Sequence, residues 1–445
     1  MTDRELRCSR RKFLASAAAA VSLAGGTHSA SSGDTTASAS QFRSRPPRPS
    51  LEGRKPLACI TTVYRPMSHS FHIAGRFVHG YTRDGAFHVP QQFIRGLVVD
   101  QTPENDLSRD LAREFGCRWS RNVADVLLDG DKLAVDGVLL IAEHGNYPRN
   151  DKGQILYPRF ELFEQIVQAF RKAGRSAPVF CDKHLSYSWA KAKQMVEWSR
   201  ELKFPLMAGS SLPVTWRRPE LELPLQAPLE EALVAAYGPI EVYGFHALET
   251  LQCMVERRKG GEAGVKSVTC LTGKDVWKAG DDGRWSWDLL EVALGRSESV
   301  CPGDIRRNVG SYAVQAMPQT PATAFLIEYR DGFRATVLLL NGHLQDFVFA
   351  AKMRGEAKPA SCLFHLPPPP GAKYFDALVA NIEKLFDAGR SPYPIERTLL
   401  TSGTLDALLT SHQRRGERIE TPELDVRYAA PADSGFQRGS VAAPV

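Results

Sequence analysis

The chain has 445 residues, 43% of them hydrophobic and 24% charged, and a formal net charge of +6. That composition belongs to a soluble globular protein of about two domains and excludes collagen-like, low-complexity and wholly disordered classes. The charge surplus is too small to point to nucleic acid as a partner.

The N-terminal stretch stands apart. Ser9-Arg10-Arg11-Lys12-Phe13-Leu14 precedes the small apolar run ASAAAAVSLAGG, and Ala37-Ser38-Ala39 offers an A-x-A cleavage site. The pattern predicts a twin-arginine signal over residues 1–39, hence a periplasmic or secreted protein that engages the twin-arginine export machinery. The run is too short and too alanine-rich to span a membrane. Its removal takes away five basic and three acidic residues and lowers the net charge from +6 to +4. Residues 40–55, rich in Ser, Arg and Pro, read as a disordered linker. Of the eight cysteines, Cys8 leaves with the signal, and the other seven show neither a CxxC pair nor the spacing of metal ligands. No metal site is expected.

A first strand is predicted over Leu57 to Val63, followed by a helix capped by Ser68. In a dinucleotide-binding unit the intervening turn carries G-x-G-x-x-G, so that the backbone approaches a pyrophosphate held at the helix start. Here the turn reads TTVYRPMSH and none of the three glycines is present. Thr61, Thr62, Arg65 and Ser68 are the candidate phosphate contacts in their place. The second strand, Ile94 to Asp100, ends in an acid placed where a ribose hydroxyl is held in such folds. A helix over Asp106 to Gly116, a short helix from Val123 and the apolar strand Gly137 to Ala142 follow. That strand ends in Glu143-His144-Gly145-Asn146, with His144 a candidate wall of the cofactor site. After the helix Phe160 to Ala173 comes a strand, helix, strand unit. Pro178 to Cys181 terminates in Asp182-Lys183-His184, the helix covers Trp189 to Lys203, and Phe204 to Ala208 ends at Gly209. Strands alternating with helices predict a doubly wound parallel sheet over residues 56–212, with ligands at the carboxyl ends of its strands.

Residues 213–428 read as an α+β domain with an open, largely antiparallel sheet. Its elements are a helix over Leu229 to Ala236, a short strand Ile240 to Tyr243, a helix His246 to Arg257 and a strand Val265 to Leu271. A hairpin around Asp331-Gly332 and two further strands follow, then two closing helices, Tyr374 to Ala388 and Glu396 to Arg415. Residues 429–445 read as a disordered tail.

Three segments carry a family resemblance. Asp182-Lys183-His184 with its helix and LMAGSS resembles the E-K-P strand end of the Gfo/Idh/MocA oxidoreductases, the family of glucose-fructose oxidoreductase and inositol dehydrogenase. Tyr243-Gly244-Phe245-His246-Ala247-Leu248-Glu249 is similar to that family's D-x-G-x-H-x-x-D segment, and PYPIERTLLTSGTLDALLTSHQRRGERIETP to its closing helix. The resemblance covers residues 56 to 425. It implies a Rossmann-like domain followed by a sheet domain, NAD or NADP as cofactor, and a carbohydrate-like small molecule as ligand. Lys183 takes the place of the catalytic lysine and His246 that of the catalytic histidine, with Asp182 beside the cofactor. Lysine in a cleft is suited to take the proton of a hydroxyl as hydride leaves, and histidine near neutrality to relay it. The family's catalytic Asp falls on Val242. The resemblance also allows a homo-oligomer. Two further readings stand beside it: a binding protein that keeps the fold without the cofactor, and a lyase or glycosidase working through tightly bound NAD.

Overall fold

The computed structural model describes residues 50–83, 85–311 and 320–439. The expected export signal and most of the expected linker lie outside the described residues.

Six strands, β1 (Lys55–Thr61), β2 (Gln92–Val99), β3 (Arg118–Ser120), β4 (Gly137–Ile141), β5 (Val179–Asp182) and β6 (Leu206–Gly209), form one sheet in the order β6-β5-β4-β1-β2-β3. Every pairing in it is parallel. All five residues of β4 are buried, as a strand covered on both faces requires. The covering helices are α1 (His69–His79), α2 (Ser108–Phe115), α3 (Val123–Leu127), α4 (Arg159–Ala173) and α5 (Trp189–Glu201). This is the expected Rossmann-like layer, and its strand order reverses between β1 and β4, where such sheets open a crevice.

The second sheet has eight strands. They are β7 (Trp216–Arg218), β8 (Leu229–Ala236), β9 (Val265–Thr272), β10 (Thr323–Tyr329), β11 (Arg334–Leu339), β12 (Phe347–Met353), β13 (Ala360–His365) and β14 (Ile419–Glu420), ordered β7-β13-β12-β8-β11-β10-β9-β14. The pairs are antiparallel except β8 with β11. On one face Ala232, Val234 and Ala236 pack under α6 (Val242–Val255) and α11 (Ile395–Gln413). On the other, Leu233 and Ala235 meet Trp285 and two helices that sequence patterning left unassigned, α7 (Lys274–Asp281) and α8 (Trp287–Leu294). α9 (Ile305–Asn308) and α10 (Tyr374–Ala388) complete the set.

Four sequence expectations change. Leu229–Ala236 is a strand, because LEEALVAA sits between β12 and β11 at the centre of the sheet and burial there outweighs its helical composition. The segment read as a strand at Ile240 to Tyr243 instead enters α6, which begins at Val242. α10, expected in the second domain, lays Ile382, Leu385 and Phe386 into the same core as Leu57 and Phe77 of the first. The tail is packed rather than disordered through residue 439: Phe436 is 4% exposed with the Arg217 guanidinium 4.3 Å from its ring centre, and Gln437 N donates to Val214 O at 2.8 Å.

Candidate active site

The carboxyl ends of β4 and β5 bear the charged residues of the crevice, and both strands finish in an unusual way. His144, three residues past β4, has φ 71°, and Lys183, directly after β5, has φ 65°. Side chains other than glycine rarely adopt this left-handed conformation, and where they do the surrounding contacts hold them in it. For Lys183 those contacts are visible. Its side chain is 4% exposed, its Nζ lies 3.2 Å from Glu143 Oε1, and its N–H donates to Gly209 O at 3.2 Å. Glu143 Oε2 in turn accepts from Arg159 Nη2, whose side chain is fully buried at the first residue of α4. Burial alone would raise the Glu143 carboxyl, but the Lys183 and Arg159 charges override it and hold it well below the usual carboxylate range. Lys183 therefore pairs with Glu143 in the interior, not with the neighbouring Asp182 at the surface.

Asp182 is committed elsewhere. Its Oδ2 is 2.6 Å from Nδ1 of His69, the first residue of α1. The His69 ring reaches across the end of β4, 5.1 Å from the His144 ring on one side and 5.1 Å from Phe375 of α10 on the other. His184 Nε2 lies 3.3 Å from Arg159 Nη1. Arginine only donates, so Nε2 accepts, the ring proton sits on Nδ1, and that buried Nδ1 has no partner. The Nδ1 of His144 is likewise buried and unpartnered. Burial first pushes both rings down, His144 to about 3, with Arg159 adding to the effect on His184, which favours the neutral imidazole in each.

α6 brings His246 to the same place. Its Nδ1 is 2.5 Å from Ser210 Oγ, just past β6, and Lys183 is close enough for its charge to act on the ring. Burial first and Lys183 second drive His246 well below the ordinary histidine value. That push favours the neutral ring, which can hydrogen-bond, over the imidazolium that a relay near neutrality would use. Glu249, two turns along from Val242, is sealed inside, accepting from Thr401 Oγ1 at 2.6 Å and from Ser210 N at 3.3 Å. Gly209 makes room for it, since a Cβ there would meet Glu249 Oε2 at 2.5 Å.

The proposed phosphate turn is partly withdrawn from ligands. Thr61 Oγ1 donates to backbone carbonyls of its own loop and of β4, and Thr62 Oγ1 donates to Glu143 O at 2.9 Å, so neither hydroxyl faces the crevice. Ser68 caps α1, accepting from Phe71 N at 3.2 Å, and also accepts from Arg65 N at 3.2 Å. Arg65 is half-buried beside that helix start. Asp100 is exposed at the end of β2, and its carboxylate accepts from the Tyr147 hydroxyl.

Sequence reasoning missed Glu143, Arg159 and His69. Arg159 had a legible signal: a cation at the first residue of a helix opposes the helix dipole and calls for a local anion. Glu143 and His69 had none, because their partners lie 40 and 113 positions away. Missed too was an aromatic group beside His246. Tyr243 lies 5.9 Å from the His246 ring and 5.0 Å from Tyr237, and Phe347 lies 6.3 Å from His246. Tyr374, at the start of α10, is near enough for Tyr243 to add to the upward push that burial gives its hydroxyl, to about 12. Among the described residues no group of three or more His, Cys, Asp or Glu is placed to hold a metal ion.

Neither a protein-family model nor a curated protein sequence matches the chain. Solved structures do. The chain superposes on GenD2 from gentamicin A biosynthesis, solved with NAD, at a TM-score of 0.52 and 14% identity, over 84% of this chain and 98% of that one. A structure described as a probable dehydrogenase from Thermotoga maritima gives 0.50 at 12% identity, over 83% and 99%. The chain has the Gfo/Idh/MocA fold. At these identities the likeness carries the architecture alone. What this chain places in the crevice, the Lys183–Glu143–Arg159 chain and the His69–Asp182 contact, is read from its own residues.

Proposed function

We propose that the protein is an NAD(P)-dependent oxidoreductase, exported by the twin-arginine route, that moves a hydride between the nicotinamide and a hydroxyl or carbonyl carbon of a small sugar- or cyclitol-like molecule. The observation that carries this reading is Lys183, held in a left-handed conformation at the carboxyl end of β5 and paired with Glu143, beside the neutral ring of His246. The surroundings suit a dinucleotide in three respects. An 11-residue helix starts at the sheet's switch point, an exposed carboxylate ends β2, and an unpartnered buried nitrogen, His144 Nδ1, stands over β4. The start of α1 and Arg65 would hold the pyrophosphate, Asp100 the ribose and His144 the nicotinamide end, with the His69–Asp182 contact displaced.

A bound nicotinamide would supply the hydride acceptor or donor. Lys183 Nζ gives its proton to the reacting carbonyl oxygen in one direction and takes the hydroxyl proton in the other, with Glu143 and Arg159 fixing its position. His246 hydrogen-bonds the same oxygen while Ser210 orients its ring. The closed His69–Asp182 contact favours a second reading, a binding protein that keeps the fold without the cofactor.

Denaturing natively purified mature protein and analysing the supernatant by mass spectrometry separates the two. Near-stoichiometric NAD(P), or its binding when added, supports the oxidoreductase. With a substrate in hand, Lys183→Ala should then lower kcat by roughly 10²–10⁴-fold while KM moves little. No released nucleotide and no binding of added NAD(P) would leave the second reading.

A further inference from the structure

The His69 side chain crosses the switch point of the parallel sheet. It leaves from the first residue of α1, which follows β1, and ends on Asp182, the last residue of β5, so the bond between them spans the carboxyl end of β4. A carboxylate only accepts, so Nδ1 carries the ring proton and donates to Asp182 Oδ2 at 2.6 Å. Among the described residues this is the single hydrogen bond of the His69 side chain. Its other contacts are edge-on, to the rings of His144 and Phe375, each 5.1 Å away. Phe375 is held independently of it, since the His72 ring stacks on it at 5.0 Å and 11° and the Arg76 guanidinium lies 5.9 Å from its centre. The His69 side chain is 17% exposed and that of Asp182 only 2%. The ring therefore meets solvent, and the carboxylate scarcely does.

A dinucleotide laid over the switch point needs the ground that this ring covers. Moving the ring away breaks one hydrogen bond and two edge contacts, but it strands a buried carboxylate, which is costly unless another donor arrives. A ribose hydroxyl is such a donor; a phosphate oxygen is not. We infer that His69 is the gate of the cofactor crevice: its side chain latches onto Asp182 across β4, and a nucleotide enters by exchanging the His69 N–H for a ribose hydroxyl on that carboxylate. The inference rests on the oxidoreductase reading for the identity of the nucleotide, whereas the latch is made of this chain's own contacts. Nucleotide affinity is then reduced by the fraction of molecules in which the gate stands open, and removing the ring restores it.

The test is a binding measurement with NAD+ and NADPH on full-length mature protein, by calorimetry and stopped-flow fluorescence. His69→Ala should bind about 10–100-fold more tightly than the parent, the scale of one hydrogen bond to a charged group, and associate faster because nothing has to open. A residue that merely supported the fold would, on removal, leave binding unchanged or weaker. His69→Asn sets an amide N–H where Nδ1 stood and should stay within about threefold of the parent, with the latch kept. Low-field proton NMR should show in the parent an imidazole N–H signal that His69→Ala lacks and that vanishes as NAD+ saturates the protein. Thermal unfolding checks each variant, and if His69→Ala does not fold, His69→Ser, too short to reach Asp182, carries the same expectation. The gate is overturned if His69→Ala binds no more tightly than the parent, if His69→Asn binds like His69→Ala, or if the N–H signal survives saturation. Equal binding by parent and His69→Ala would remove the gate and keep the oxidoreductase. Binding by His69→Ala alone would keep the gate and leave the native protein as the cofactor-less one, and binding by neither would overturn both.

Discussion

Glu241, the residue before α6, is a buried carboxylate of this region without a firm cationic partner. It is 6% exposed, its Oε1 accepts from Ile155 N at 2.8 Å, and its Oε2 has no hydrogen bond, with Arg149 Nη1 3.5 Å away. Burial raises its pKa from 4.5 to about 7, against the lowering effects of the Ile155 N–H and of Arg149. Glu143, a neighbour in charge, goes the other way because two cations touch it. The sign follows directly. Between pH 4.5 and 7 the folded protein keeps a proton that the unfolded chain releases, so stability falls as pH rises through that window and is lower by a constant amount above it. Glu241→Gln keeps the acceptor for Ile155 N and removes the titration. Denaturant unfolding at a series of pH values should show the parent losing on the order of 2–3 kcal/mol relative to the variant across the window. A pH-independent difference would contradict the assignment. Arg159→Met is expected to be severe, costing roughly 3–5 kcal/mol, because the Glu143 carboxylate then stays buried with Lys183 alone.

Among the elements, α1 depends on a single side chain for its start. It has no acidic residue in its first turn, and Ser68 Oγ serves both Phe71 N and Arg65 N while the Ser68 hydroxyl donates toward Arg65 O at 2.8 Å. The seven-residue turn from Thr62 to Ser68 is thus folded on its own cap where a dinucleotide fold ordinarily places a tight glycine turn. Ser68→Ala should lower unfolding free energy by about 1 kcal/mol, typical of a lost N-cap, and hydrogen exchange at Phe71 and His72 should rise in step. Unchanged protection at those amides would show that the cap is redundant.

At the scale of the molecule, the C-terminal segment closes the structure. The Arg217 guanidinium lies 4.3 Å from the Phe436 ring centre and 5.2 Å from that of Phe364, and Arg217 Nη1 donates to Leu221 O at 2.8 Å. Arg217 is 1% exposed. Truncation after residue 428 uncovers it, and the melting temperature should drop by about 2–4 °C or more, consistent with one or more kcal/mol in a chain of this size. An unchanged melting curve would mean that the tail adds no stability.

The residues that patterning placed best are those whose structure follows from local chemistry. The five-residue run of β4 and the amphipathic period of α10, which spans the same residues in sequence and structure, needed no partner to be legible. The order of strand, helix and strand around Asp182-Lys183-His184 sufficed to put Lys183 at a carboxyl edge. What the chain could not announce is which side chains meet there. Glu143 is 40 positions from Lys183 and His69 is 113 from Asp182, and only the parallel sheet, stacking the ends of β1, β4 and β5 side by side, turns those separations into contacts of 3.2 and 2.6 Å. Tertiary burial also reversed two local preferences. It made a strand of LEEALVAA at the centre of a sheet, and it pushes the His246 ring well below the ordinary histidine value.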